Sequence, residues 1–199
     1  MSKLVPVIAG ITGTTIIGTG GTYLLLTQNT TTIKGKFEKA LIDFTKDTTL
    51  ITAKLNKLKD GTVNSDIQKL KNAQTKAKTD VNSAKEDFQK ACEEIYKSTF
   101  DKKESPLFKD FKEYCSWNVK DKVGDTSWAD GSATWNTRFN KLNQNGTKPL
   151  SSSLKKVAKG SNTNGTELQK WCNDIAVEVF GGDDDLEFKD AKEHCKRTN

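Results

Sequence analysis

The sequence of 199 residues has a single histidine, His194, and only two arginines, Arg138 and Arg197, among 32 basic residues. One histidine excludes most Ser/His and Cys/His catalytic schemes, and neither a P-loop nor an H-E-x-x-H motif is present. Because arginine supplies the bidentate contacts that read guanine and phosphate, its scarcity argues against specific nucleic-acid recognition. We therefore expect a protein that is not an enzyme and carries no cofactor.

Long hydrophobic runs are also scarce, which excludes a polytopic membrane protein. Only residues 4–26, 23 residues without a charge, are apolar enough to span a bilayer, and they are rich in Gly and Thr. At about 1.5 Å per residue, such a helix crosses a hydrocarbon core of about 30 Å. We predict that residues 1–26 form a membrane anchor or signal and that residues 27–34 form a linker. A cleaved signal peptide is the second alternative, but no A-x-A cleavage site follows the apolar run. A buried Gly/Thr-rich segment of a soluble domain is the third.

Lysine dominates the charge, and the formal net charge is +6. The excess is greatest between Lys54 and Lys78, and it predicts a basic contact patch on the surface. That patch would comprise Lys54, Lys57, Lys59, Lys69 and Lys71. No aromatic residues interleave with these lysines, so a polyanion is a better partner for them than stacked bases. A solvated lysine-rich surface without a partner is the simpler alternative.

Apolar residues in the first half recur at helical spacing. One stripe, spaced by four and three residues, comprises Phe37, Leu41, Phe44, Ile51, Leu55 and Leu58, with Thr48 at one polar position. It predicts a helix over about 35–59, and a second, Ala-rich stripe predicts a helix over about 66–98. Ser65 and Gln68 fit a capping box at the start of the second helix. The two helices would form a long αα-hairpin.

The most specific pattern is an internal duplication. Residues 88–115 and 168–195 align without gaps and share 11 of 28 residues, where unrelated segments would share about two. The division predicts a first helical repeat at 35–115 and a shorter second one at 116–199. In the second repeat, Ser151 and Thr166 can cap helices, residues 181–182 (Gly-Gly) can end one, and residues 183–185 (Asp-Asp-Asp) suit the start of the next.

All four cysteines lie in the duplicated segments, 23 residues apart in each copy. Four cysteines allow three connectivities, and the duplication favours Cys92–Cys115 with Cys172–Cys195. Reduced, buried thiols are the alternative, whereas metal binding is disfavoured because zinc sites use C-x2-4-C pairs, which are missing. Disulfides favour an extracellular location for the domain. The lysines that follow residue 26 favour the opposite orientation under the positive-inside rule, although long domains translocate largely regardless of charge.

The amino-terminal sequence and the Trp/Cys segments resemble a known family. The residues that carry the resemblance are 1–4 (MSKL), 9–10 (AG), 18–25 (GTGGTYLL), 170–172 (KWC), 114–115 (YC), Trp117, Trp128 and Trp135. They resemble the paralogous, functionally uncharacterised proteins of haemotropic mycoplasmas, and Ala91 departs from the Trp-Cys pairing. The resemblance implies a surface or secreted protein without an assigned activity and transfers no catalytic residue.

Together these patterns predict an all-α protein with an amino-terminal membrane-spanning helix, a long αα-hairpin and a smaller helical second repeat, stapled by disulfides. Trp117, Trp128 and Trp135 would fill the core between the copies. We expect a single-pass protein of the cell membrane with an extracellular domain that contacts a host protein or displays an antigenic surface. The alternative is a cytoplasm-facing, membrane-associated structural protein with reduced cysteines.

Overall fold

The structure is a computed structural model that describes residues 31–129, 134–144, 149–159 and 165–197. Over these residues the protein is mainly helical, with ten α-helices, two short 3-10 helices and no strand beyond isolated bridges. The α-helices are α1 (Ile33–Lys36), α2 (Thr48–Asp60), α3 (Gln68–Thr79), α4 (Lys85–Lys97), α5 (Pro106–Tyr114), α6 (Val119–Val123), α7 (Trp135–Gln144), α8 (Ser152–Ala158), α9 (Thr166–Ala176) and α10 (Leu186–His194). No helix in these ranges is long and apolar enough to cross a membrane, and the predicted span at 4–26 lies outside them.

The predicted helix over 35–59 is wrong in its first half. α1 ends at Lys36, a 3-10 helix covers Glu38–Ala40, and α2 begins only at Thr48. The Asp43 carboxylate accepts hydrogen bonds from the Thr45 amide and hydroxyl, a local turn that competes with the helical ladder. Phe37, Leu41 and Phe44 of the stripe still pack against the core, but they do so from non-helical backbone or from short turns.

The predicted helix over 66–98 is divided into α3 and α4. The break lies at Asp80, whose carboxylate accepts the backbone N–H groups of Asn82 (3.0 Å) and Ser83 (3.2 Å). The predicted capping box at Ser65 is also wrong, because α3 begins at Gln68 with Ile67 as its N-cap. The long hairpin is therefore a set of three helices, α2 to α4, joined by short turns.

The helix-start predictions in the second repeat have mixed outcomes. The Ser151 hydroxyl caps α8 by accepting the Leu154 N–H, so that prediction is confirmed. The aspartates at 183–185 lead into α10, as predicted, and Asp185 is its N-cap, accepting the Phe188 N–H. The prediction for Thr166 is off by one residue, since Gly165 is the N-cap of α9. Helix α9 ends at Ala176, ahead of the predicted Gly-Gly stop, and Gly182 instead forms a turn with φ of 113°.

The same succession of elements occurs twice. Each copy opens on an isolated bridge, Thr32 with Thr99 in the first and Asn118 with Val179 in the second. A short helix follows, α1 in the first copy and α6 in the second, and then a 3-10 helix. A second bridge residue comes next, Leu41 in the first copy and Trp128 in the second, followed by four longer helices. The closing bridges are Leu41 with Ser116 and Trp128 with Lys196. The duplication thus extends over residues 32–116 and 118–196, well beyond the aligned segments, and Ile33, within the predicted linker, is fully buried in α1.

Each copy has its own hydrophobic core. The first core is built mainly by α1 to α5 and the second mainly by α6 to α10, with Ala40 of the first repeat also buried in the second core. Phe37, Trp117 and Val179 pack against both cores. These three side chains therefore connect the two copies into one structure.

Candidate functional site

The four cysteines form the two disulfides that the duplication favoured, so the predicted pairing is confirmed. Cys92 and Cys115 join α4 to the end of α5, with Cα atoms 5.3 Å apart. Cys172 and Cys195 join α9 to the end of α10, with Cα atoms 5.6 Å apart. All four side chains are fully buried. Each bond staples the last two helices of its repeat.

The predicted basic patch is not assembled as one exposed cluster. Lys54 is only 4% exposed, because its side chain points into the protein from α2. Three of the other lysines have acidic neighbours: the pairs are Lys57 with Glu113 (3.3 Å), Lys69 with Glu94 (2.8 Å) and Lys71 with Asp66 (3.1 Å). Lys59 is half-buried. The surface here has mixed charge, which weakens the case for a polyanion partner.

Lys54 contacts the start of the second repeat. Its ammonium lies 2.5 Å from Asn118 Oδ1 and 2.8 Å from Asp121 Oδ2. Burial lowers the pKa of Lys54, and the Asp121 carboxylate opposes part of that change. The position follows from α2, because Lys54 shares a face with the buried Ile51, Leu55 and Leu58. The position of this lysine inside an apolar stripe is the sequence signal for its burial, and its assignment to an exposed basic patch is wrong.

The side chain and the backbone N–H of Asn118 are both hydrogen-bonded. Its Nδ2 donates to the carbonyl oxygens of Lys112 and Val177, both at 3.0 Å. Its backbone N–H donates to Asp121 Oδ2 at 2.9 Å, as part of the capping box of α6. The Asn118 side chain is therefore fixed with its carbonyl oxygen turned toward Lys54.

The second repeat has an arginine in the place of Lys54. Arg138 lies on α7 among the buried side chains Trp135, Phe139 and Leu142, as Lys54 lies among those of α2. Its Nη1 donates to the carbonyl oxygens of His194 (3.2 Å) and Lys196 (2.6 Å). Arg138 thus binds backbone within its own repeat, whereas Lys54 crosses to the next one.

Trp117 is the residue between the repeats, and both of its backbone groups are bonded. Its N–H donates to the carbonyl of Ala40 at 2.8 Å, and its carbonyl accepts from Phe180 at 3.0 Å. Its indole N–H donates to Asp47 Oδ2 at 2.9 Å, and the Lys122 ammonium lies 3.8 Å from the ring centroid. Trp128 and Trp135 are buried in the core of the second repeat, and only Trp117 packs against both cores. The prediction that the three tryptophans fill the core between the copies is therefore confirmed for Trp117 alone.

A cavity of about 500 Å³ lies between the two repeats, and we call it the inter-repeat groove. Its walls are Phe108, Trp171 and Ile175, and its charged residues are Lys103, Lys112, Asp174, Glu178 and Glu187. The Trp171 indole donates to Ser153 Oγ at 3.0 Å, and that hydroxyl donates to Glu187 Oε1 at 2.6 Å. A groove with an apolar floor and a charged rim can bind a polypeptide segment that is polar overall and inserts one apolar side chain. The sequence did not indicate this groove, because it depends on how the first repeat packs on the second.

In the described part of the chain, no group of three or more His, Cys, Asp or Glu side chains is placed to hold a metal ion. Comparison of the chain with protein-family models, with curated proteins and with solved structures finds no match.

Proposed function

We propose that this protein is a membrane-anchored surface protein without catalytic activity, whose extracellular domain contacts a host protein. Two disulfides, one in each repeat, are the observation that carries the proposal. Disulfides persist in oxidising compartments and are rare in the reducing cytosol. The anchor would be residues 4–26, and antigenic display of the exposed helices is compatible with the same location.

The inter-repeat groove is the surface that we assign to host contact. Its rim carries the two lysines Lys103 and Lys112 and three carboxylates, Asp174, Glu178 and Glu187, whereas the floor is apolar. Lys112 is already neutralised by Glu178, 2.5 Å away. The groove therefore favours a protein segment that presents an apolar side chain next to a basic one.

Location is tested on intact cells. Added protease should cleave the domain without lysis, and thiol-blocking reagents applied before lysis should leave Cys92 and Cys172 unlabelled because both are in disulfides. A protected domain with four labelled thiols would instead support the cytoplasm-facing structural protein. A cytosolic protein of the same cells provides the control for membrane integrity.

Host contact is tested by binding of the purified domain to host red blood cells, the cell type that the resemblance to haemotropic mycoplasmas indicates. Lys103→Glu changes the rim of the groove, and Lys102→Glu makes the same charge change at an exposed neighbour outside it. We expect stronger binding for the first variant, because the groove favours a basic side chain and the substitution replaces a cation of the rim by a carboxylate, and unchanged binding for the second. Equal binding by both variants would remove the groove from the proposal while leaving the location intact.

A further inference from the structure

The contact between Lys54 and Asn118 brings an amine and a carboxamide together inside the protein. Lys54 is 4% exposed and Asn118 is 6% exposed. Lys54 Nζ lies 2.5 Å from Asn118 Oδ1, and the two residues are 64 positions apart in the chain. Since Cγ lies about 1.2 Å from Oδ1, a small rotation brings the amine to the carboxamide carbon. Reacting groups held this way have a large rate advantage over free ones.

The amine is also placed to lose its proton. Burial favours the neutral form of Lys54, and it lowers the pKa of that side chain. Asp121 Oδ2, at 2.8 Å, is the nearest carboxylate and is 27% exposed. A carboxylate in contact with an amine can accept a proton from it and return the proton later, as a general base and acid.

We propose that Lys54 and Asn118 form an intramolecular isopeptide bond, with Asp121 relaying the proton. Asp121 takes a proton from the Lys54 ammonium, and the nitrogen lone pair attacks Cγ of Asn118. The tetrahedral intermediate then expels Nδ2, which takes up the proton from Asp121 and a second one from the attacking nitrogen and so leaves as ammonium. One Cγ–Nδ2 bond is broken and one Cγ–Nζ bond is formed. No oxidant or other reactant is needed.

The surroundings of Asn118 suit this reaction. Its Nδ2 is aligned by the carbonyls of Lys112 and Val177, so the amide plane is fixed while the amine approaches. Asn118 also lines a cavity of about 350 Å³ together with the exposed Lys57 and Val177, which gives ammonia a route to solvent. The bond would join α2 of the first repeat to the start of α6 in the second.

The second repeat provides an internal comparison. Arg138 occupies the place of Lys54, and its guanidinium, which stays protonated, is not a nucleophile. It faces the backbone carbonyls of His194 and Lys196. The proposed chemistry is therefore confined to the junction of the repeats and does not extend to every buried cation of this fold.

The test is the mass of the full chain, purified in detergent with its disulfides intact and then denatured. We expect a mass lower by one ammonia than the disulfide-bonded sequence requires, and a proteolytic peptide in which Lys54 is joined to Asn118. A chain of full mass with a free Lys54 amine would overturn the proposal. A loss of ammonia that maps to another asparagine, as a cyclic imide, would overturn it as well.

Three variants assign the roles. Lys54→Arg keeps the cation and should restore the full mass, and Asp121→Asn should do so by removing the proton relay. Lys57→Arg, also on α2 but 46% exposed in its side chain, is the matched control and should stay cross-linked. Formation of both disulfides and an unchanged helical circular dichroism spectrum show that each variant is folded. A cross-link that still forms in Asp121→Asn would contradict the part assigned to Asp121, and the wild-type mass decides the bond itself.

Discussion

Charged side chains inside this protein have defined partners, and Asp110 and Asp190 illustrate this best. They occupy equivalent positions in α5 and α10, and each is nearly or completely buried. Asp110 Oδ2 accepts the Ser65 N–H at 2.8 Å, and Asp190 Oδ2 accepts the Ser151 N–H at 2.8 Å. Both carboxylates thus hold the segment that leads into the third helix of a repeat. The alignment of the two repeats shows that both positions carry aspartate. It does not show that they are buried, because their partners, Ser65 and Ser151, lie far away in the chain.

Asp110→Asn should destabilise the protein strongly. The carboxylate accepts N–H groups from Asn64 and Ser65, and an amide nitrogen in place of one oxygen would face a donor. We expect a loss of about 2–4 kcal/mol in the free energy of unfolding, measured by urea denaturation. Asp184→Asn, at a side chain that is 94% exposed, is the control and should change the free energy little. Equal effects of the two substitutions would contradict the assigned role of Asp110.

Two buried phenols should make the fold sensitive to alkali. Burial raises the pKa of Tyr114 to about 12 and also raises that of Tyr96. An unfolded tyrosine has a pKa of about 10, so the folded state binds more protons above that pH. The stabilising contribution is complete below pH 10 and is lost as the pH rises through 12. Urea denaturation at several pH values should show this decline, and Tyr114→Phe should make it shallower. A free energy of unfolding that is constant over this range would disprove the assignment.

The elements that the sequence predicted best are those fixed by local signals. Ser151 caps its helix as expected, the aspartates at 183–185 precede α10 as expected, and the duplicated cysteines predicted which helices are joined. The predicted helix over 35–59 failed in its first half, where Asp43 forms a local turn with Thr45 and Asp47 bonds the indole of Trp117, 70 residues away. The assignment of Lys54 to an exposed patch is wrong because its partners, Asn118 and Asp121, also lie far along the chain. A pattern of apolar spacing shows which residues are buried, but it cannot show where a long-range partner interrupts the helix.

Asp185→Ala should weaken α10 specifically. The Asp185 carboxylate accepts the Phe188 N–H at 2.9 Å, and losing an N-cap of this kind costs about 1 kcal/mol. Asp183→Ala removes the same charge from an exposed position that is not the cap, and its effect should be less than half as large. Thermal unfolding followed by circular dichroism distinguishes the two. Equal losses would mean that overall charge, and not the cap, is responsible.

At the scale of the whole molecule, the two repeats are connected by the single residue Trp117 and share part of their cores. Trp117 packs against both clusters, and Lys112 of the first repeat pairs with Glu178 of the second at 2.5 Å. We therefore expect calorimetry to show one unfolding transition. Trp117→Ala removes the shared side chain, and the transition should broaden or divide into two. Two transitions in the wild-type protein would show that the repeats unfold independently.

The two disulfides should contribute equally to stability. Both span 23 residues, and constraint of an unfolded loop of this length is worth about 3 kcal/mol. Replacing either pair by alanine should lower the free energy of unfolding by that amount in guanidinium titrations without reductant. If removing one disulfide lowers the free energy of unfolding strongly and removing the other does not, one of the two disulfides is strained or redundant.

The placement of the disulfides also determines how the protein would respond to mechanical tension. Each repeat begins and ends on a backbone bridge, Thr32 with Thr99 and Leu41 with Ser116 in the first copy, so force on the chain is first resisted there. Once a repeat opens, the segment between its cysteines cannot extend. With 23 residues per loop and about 3.4 Å per residue, each disulfide withholds about 80 Å of contour length. A chain built this way lengthens in limited steps. Reduction of Cys172–Cys195 would lengthen the step of the second repeat by that amount, whereas the proposed Lys54–Asn118 bond would still enclose the segment between Cys92 and Cys115.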